Sequence, residues 1–267
     1  MAMLTPVRKQ SVSDAVFEQL RNQIMSGEMA PGARLPAERV LCEALGVNRG
    51  AVREALKRLQ QSRLVSVRHG GTSHVLDFRS SGGLDLLAEL LVGPSGAFDV
   101  AVVRSIVEMR SALAPDIARR AAARARTAHR AELDRLVAAM QASAGNLAVL
   151  QGLAAEFWSH LVDASDNLAY RLAYNSLRAT YDQCRELFTH VLAEEIGDPV
   201  PYAALAAAVR AGDATHAEAL ARDLILRGER GITAALRQLE TQEVPDDRTR
   251  AAGRRRPRAR HDAPRRR

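Results

Sequence analysis

Arg49, Arg53 and Lys57 recur at four-residue intervals, and Val52, Ala55, Leu56 and Leu59 repeat among them at helical spacing. On one helix the two sets fall on different faces, giving an apolar stripe to bury and a cationic ridge to expose. Such a ridge suits phosphate oxygens, and its guanidinium forks suit the acceptor edge of guanine. Taken alone, a basic helix is as well explained as a solvated surface, so its neighbours decide what it means. Another cation, Arg110, stands in the middle of the stripe Val103, Ile106, Val107, Leu113, Ala114 and Ile117. A guanidinium facing inward needs an anion, supplied either by an internal carboxylate or by the phosphate or carboxylate of a ligand. Seven of the ten aromatic residues lie between 157 and 202, and Tyr170, Tyr174, Leu177, Tyr181 and Phe188 share a helical stripe. Buried tyrosines need hydrogen-bond partners, so this stripe fits a lined cavity as well as a filled core. Patterns for a nucleophile elbow, a zinc protease, a phosphate loop or a dinucleotide fold are missing in any useful context, which argues against an enzyme.

The elements that must hold these residues are set by the same periodicities. Ser11 to Ser26 reads as an amphipathic helix carrying Val16, Phe17, Leu20 and Ile24, and Pro31-Gly32 as the turn after it. Pro36 is placed to start a second helix with Val40, Leu41 and Leu45 facing inward, and Gly46 to end it in the left-handed conformation. Asn48 suits the N-cap of a third helix, Arg49 to about Gln60. Two helices joined by a short glycine-containing turn, the second of them cationic, make a helix-turn-helix whose second helix enters the major groove. Leu64 to Val67 and Ser73 to Leu76 are β-prone runs around Arg68-His69-Gly70-Gly71-Thr72, a hairpin wing with a cationic tip fit for the minor groove. From Phe98 to Leu239 the chain is rich in Ala, Leu and Arg and broken near Gly145, Asp166-Asn167, Gly197-Asp198-Pro199 and Gly212-Asp213. Six or seven helices result, without a repeat, so the expected architecture is mainly α: an N-terminal winged helix-turn-helix succeeded by an all-helical bundle.

A length of 267 residues suits two domains. We place the first at 1–78, a linker and connecting helix at 79–97, the helical domain at 98–240 and a tail at 241–267. Charge respects this division: residues 1–78 carry a net +4, residues 79–242 a net −3, and residues 243–267 a net +6. The anionic partner is therefore expected at the N-terminal domain. The tail, RRRPRARHDAPRRR at its end, has almost nothing to bury and is expected to be disordered. Two widely separated cysteines, no signal-peptide core and no bilayer-length apolar run point to the cytoplasm and away from a membrane.

The string GARLPAERVLCEALGVNRGAVREALKRLQQSRLVSVRHG resembles, almost residue for residue, the DNA-binding signature of the GntR family of bacterial transcriptional regulators. SVRHGGTSHVLDF and SGGLDLLAEL extend the likeness toward that family's fatty-acid-responsive FadR branch. The resemblance implies double-stranded DNA contacts at Arg39, Asn48, Arg49, Gly50, Arg53, His69 and Gly70. In that branch threonines stand at the positions of Asn48 and Gly50 and a lysine at Gly71, so the operator read here differs. It also implies a homodimer on a roughly palindromic operator and places Arg110 where an arginine meets the coenzyme A part of the effector. Many relatives hold a metal with one Asp and three His; AAEFWSHLVDASDN puts Ala154 and Trp158 at the first two places, and Tyr202 and Leu224 fall at the others. No metal or other cofactor is therefore expected. The ligand-binding set read from these two arguments is Arg110, Trp158, Tyr174, Tyr181 and Tyr202. The effector so implied is a long-chain acyl-CoA or related lipid; a small organic acid, or no effector at all, are the other readings.

Overall fold

The structure is a computed structural model that describes residues 11–68, 72–92 and 97–242. Helix α1 (Val12–Met25) starts at a capping box in which Ser11 and Asp14 exchange side-chain-to-backbone bonds. It buries Val16, Phe17, Leu20 and Ile24 against α3 (Arg49–Gln61), which contributes Val52, Ala55, Leu56 and Leu59 to the same core. Arg58 clamps the two helices: its guanidinium lies 4.0 Å from the Phe17 ring centroid and bonds Asp14 at 2.5 Å.

Helix α2 (Glu38–Leu45) begins after Ala37, not at Pro36, and ends on Gly46 at φ 65°, as the left-handed stop requires. Leu41 is buried, but Val40 is 43% exposed, contrary to its expected inward position. An eight-residue helix offers a narrow apolar stripe, centred here on Leu41, and Val40 lies about 100° around the helix from it, outside that stripe. Strands β1 (Val65–Arg68) and β2 (Thr72–Val75) pair antiparallel with Val65 opposite Val75, and the backbone of 32–35 bonds to β2 from its other side. The wing tip, including His69 and Gly70, lies outside the described residues.

Short helices α4 (Phe78–Ser81) and α5 (Leu87–Leu90), with a 3-10 turn at Leu84–Leu86 between them, join the halves. The helical domain then comprises α6 (Val100–Arg124), α7 (Thr127–Ala142), α8 (Leu147–Ala164), α9 (Leu168–Gln183), α10 (Arg185–Val191), α11 (Ala193–Ile196), α12 (Pro199–Ala211) and α13 (Ala214–Gln242). That is eight helical segments among the described residues, where six or seven were expected; the excess comes from the breaks around Cys184 and Leu192. The long helices α6 and α13 lie against each other, with α8 and α12 packed beside them over a second core. Most of the tail lies outside the described residues, and no described helix is long and apolar enough to cross a membrane.

Two glycines let α13 approach α10 and α11 closely. At Gly231 a β-carbon would overlap the carbonyl oxygen of Val191, and at Gly228 it would strike the carboxylate of Glu195. Alanine normally stabilises a helix interior relative to glycine. At Gly231 the sign should reverse, because the obstructing atom belongs to the backbone. Gly231→Ala is expected to cost about 1–3 kcal/mol by overpacking, read as a lowered midpoint in thermal melting; an unchanged or raised midpoint would show that α10 shifts freely.

Candidate functional site

The first surface is the outer side of α2 and α3. Asn48 has extended backbone and its side-chain oxygen accepts the Ala51 N–H at 2.9 Å, so it is the N-cap of α3 as read from the sequence. Its amide nitrogen has no role in that cap. Gly50 is exposed beside it, and a β-carbon there would press to 3.2 Å from the capping oxygen of Asn48. Glycine thus keeps the N-terminus of α3 bare, where backbone N–H groups and the helix dipole favour a phosphate.

Arg49, Arg53 and Lys57 are all exposed, while the opposite face of α3 is buried. Arg53 is held across to α2, its Nε donating to Glu38 at 2.9 Å, and Arg39 bonds Glu43 at 2.6 Å on α2 itself. The bond and charge of Glu38 raise the Arg53 pKa further, so this group is permanently cationic. Five of the seven residues assigned to DNA contact are therefore exposed, on α2, at the N-cap of α3 or in α3 itself. The other two, His69 and Gly70, fall outside the described residues.

The second site is a cavity of ≈ 160 Å³ in the helical domain, walled by α6, α8, α9 and the α10–α11 segment and reached also by α13. Its lining is mostly apolar. Arg110, Trp158, Tyr174 and Tyr181 all line it. Tyr202 does not: it is wholly buried behind the wall, edge-on to Phe157 with ring centroids 5.2 Å apart. Its hydroxyl and the indole Nε1 of Trp158 are buried without a hydrogen-bond partner among the described residues.

The tyrosines in the wall are positioned by their hydroxyls or rings. Tyr174 donates to the Ala155 carbonyl at 2.6 Å, Tyr170 donates to Asp116 at 2.6 Å, and Tyr181 stacks on Phe188. Burial works against the charge of Asp116, but the bonds from Tyr170, Arg120 and Arg119 outweigh it and hold its carboxyl well below the usual range. Gln151 joins α8 to α10, donating to the Arg185 carbonyl at 2.7 Å and accepting from Thr189 at 2.8 Å. Burial also pushes the hydroxyls of Tyr174, Tyr181 and Tyr202 to higher pKa, keeping all three neutral.

Arg110 has an internal partner. Its guanidinium bonds the carboxylate of Glu195 on α11, which is 1% exposed. Burial opposes the charge on both groups; Glu195 remains shifted upward, while its attraction keeps Arg110 above its ordinary value. The sequence offered an internal carboxylate as one of two possible anions but did not identify this one. A signal was present: Leu192, Glu195 and Ile196 have helical spacing, so Glu195 interrupts an apolar stripe as Arg110 does.

The relatives' metal places are also physical neighbours of this site. Ala154 and Trp158 line the cavity, and Tyr202 and Leu224 are buried in the core around it. None of these side chains is an effective ligand for a divalent cation.

The cavity reaches the DNA-reading half through the linker. Leu86 and Leu90 pack in the core of the winged domain, whereas Leu91 belongs to the helical core and lines the cavity. Arg21 of α1 forms an ion pair with Glu89 of α5, fastening the same short segment to the winged domain.

The family described as bacterial regulatory proteins, gntR family, matches residues 12–75, and the FCD domain matches residues 105–227. The chain is 40% identical over 233 residues to the HTH-type transcriptional regulator Mce2R of Mycobacterium tuberculosis (strain CDC 1551 / Oshkosh), covering 87% of this chain and 96% of that one. It is 28% identical over 175 residues to the fatty acid metabolism regulator protein of Yersinia enterocolitica, covering 66% of this chain and 71% of that one. Among solved structures it is similar to Streptococcus agalactiae GntR, with a TM-score of 0.45 and 23% identity over 82% of this chain and 99% of that one. Fold, exposed basic helix and sequence together define a DNA-binding transcriptional regulator, not an enzyme. The chain belongs to the GntR family of bacterial regulators, with an FCD domain as its helical half.

Proposed function

We propose that this regulator is a repressor of lipid metabolism that binds a palindromic operator as a homodimer and releases it when a lipid effector fills the cavity. The observation that carries this reading is the apolar cavity whose wall includes Leu91, next in the chain to the Leu90 side chain packed on the winged domain. An effector that displaces Leu91 changes the seat of the reading head, and in a dimer a small change in the separation of two heads weakens simultaneous binding of both half-sites. The likeness to a fatty acid metabolism regulator supports an acyl-chain effector, with long-chain acyl-CoA as the leading candidate. On the operator, Arg49, Arg53, Asn48, Gly50 and Arg39 read or position the major groove, and His69 and Gly70 of the wing approach the minor groove.

Coupling of this kind is reciprocal: operator DNA must weaken effector binding by the factor by which effector weakens DNA binding. The test is fluorescence anisotropy on the chain's own upstream DNA, titrated with long-chain acyl-CoA, with citrate as the small-acid control and with chelator present throughout. Release by acyl-CoA, unaffected by chelator, is the expected result. Release by citrate alone would replace the lipid reading, and no release by either would leave a DNA-binding protein without this switch.

A further inference from the structure

The charge inside the cavity is cancelled from behind. Arg110 keeps 26% of its side chain exposed toward the cavity, while its partner Glu195 is 1% exposed and sits against Gly228 of α13. A guanidinium carries five N–H donors, and a single bond to Glu195 leaves others facing the cavity. The other cation in the wall, Arg178, is likewise paired, with Asp182 at 2.9 Å, so the wall presents strong donors whose positive charge is compensated. The remaining polar wall groups are tyrosine hydroxyls, the Thr180 hydroxyl, which donates to the Ser176 carbonyl, and the Gln151 amide, which is bonded on both its atoms.

We propose that the enclosed part of this cavity selects an uncharged group: an apolar chain carrying a neutral acceptor oxygen, such as that of an ester, thioester or alcohol, bound by the free N–H groups of Arg110, with free carboxylates excluded by Glu195. A carboxylate in the same place would either add a second negative charge beside Glu195 in an apolar enclosure or displace Glu195 and strand it buried without a counter-charge. Both are costly. Gly228 is part of the device, since any side chain there would push the Glu195 carboxylate out of its seat. This inference rests on the proposed effector role of the cavity and narrows it to one electrostatic class.

Trp158 is the one tryptophan of the sequence and lies in the cavity wall, so its emission reports occupancy directly. Full-length protein would be titrated at neutral pH with methyl decanoate, 1-decanol and sodium decanoate, tracking Trp158 emission and operator anisotropy in parallel. The neutral probes are expected to bind about tenfold or more tightly than decanoate, given the cost of an unpaired buried charge. In Glu195→Gln, which leaves Arg110 without its counter-charge, decanoate should gain about tenfold and the preference should vanish or invert. If Glu195→Gln does not fold, the ester-to-acid ratio of the unaltered protein still tests the proposal. Equal binding of ester and acid by the unaltered protein, or an ester-to-acid ratio unmoved in Glu195→Gln, would overturn the charge selection while leaving the cavity as the effector site. Failure of all three probes to alter Trp158 emission would overturn both.

Discussion

Arg110→Ala is expected to lower the stability of the helical domain by about 3–5 kcal/mol, because it strands the Glu195 carboxylate in a site that is 1% exposed. A loss of this size is a large part of the total stability of a domain. The variant should melt well below the parent and lose its effector response along with its structure. Arg110→Ala alone is therefore an uninformative test of ligand contact. Arg110→Met/Glu195→Met separates the two roles, since swapping both partners of a buried pair for apolar side chains of similar volume is often close to neutral in stability. Thermal melting of the single and double variants checks this: the double should recover most of the loss. If Arg110→Ala melts within a degree or two of the parent, the pair contributes nothing to the fold and Glu195 must have another partner in solution.

Arg53→Ala or Arg49→Ala should abolish specific operator binding, each side chain being worth roughly 1–3 kcal/mol at a base edge or phosphate, and the effect doubles in a dimer. The two need not fail alike. Arg53 is pre-positioned by Glu38 across the α2–α3 gap and must exchange that carboxylate for the nucleic acid, whereas among the described residues no such partner holds Arg49 in α3's first turn. Anisotropy against operator and scrambled DNA separates the outcomes: loss of discrimination marks a base reader, and a uniform loss with a shallower salt dependence marks a phosphate contact. Retention of full operator affinity by both variants would remove α3 as the recognition helix.

Much of the reading half was legible because its signals are local. Gly46 ending α2, Asn48 capping α3, and the stripe of Val52, Ala55, Leu56 and Leu59 each depend on neighbours within a few residues, and the structure has them as read. Val40 is exposed against expectation because a short helix gives periodicity too few points to tell whether the neighbour of Leu41 shares its buried stripe. In the helical half the inward face of α6 was plain, and so was the need of Arg110 for an anion. Its partner was not, because it comes from 85 residues away on a one-turn helix, where spacing along the chain carries no information about contact. Tyr202 shows the same limit: its aromatic character marks the right neighbourhood, but only packing decides that it is buried edge-on to Phe157 and does not line the cavity. Leu91 was invisible for the opposite reason, being one leucine among several in LDLLAELL, with no chemistry to single it out.

The junction at Leu90 and Leu91 also constrains how such a chain can be altered over time. Neighbouring α-carbons are about 3.8 Å apart, so the boundary between two hydrophobic interiors falls within one peptide unit. Adding or deleting a residue there would rotate the downstream chain by about 100° on a helix and carry Leu91 off the cavity wall or Leu90 off the reading head. A graft that pairs this winged half with another helical half would preserve DNA affinity and lose responsiveness unless it kept the 86–91 register. The two halves are geared together through the 86–91 segment, and they are expected to be inherited, and to be engineered, as one piece.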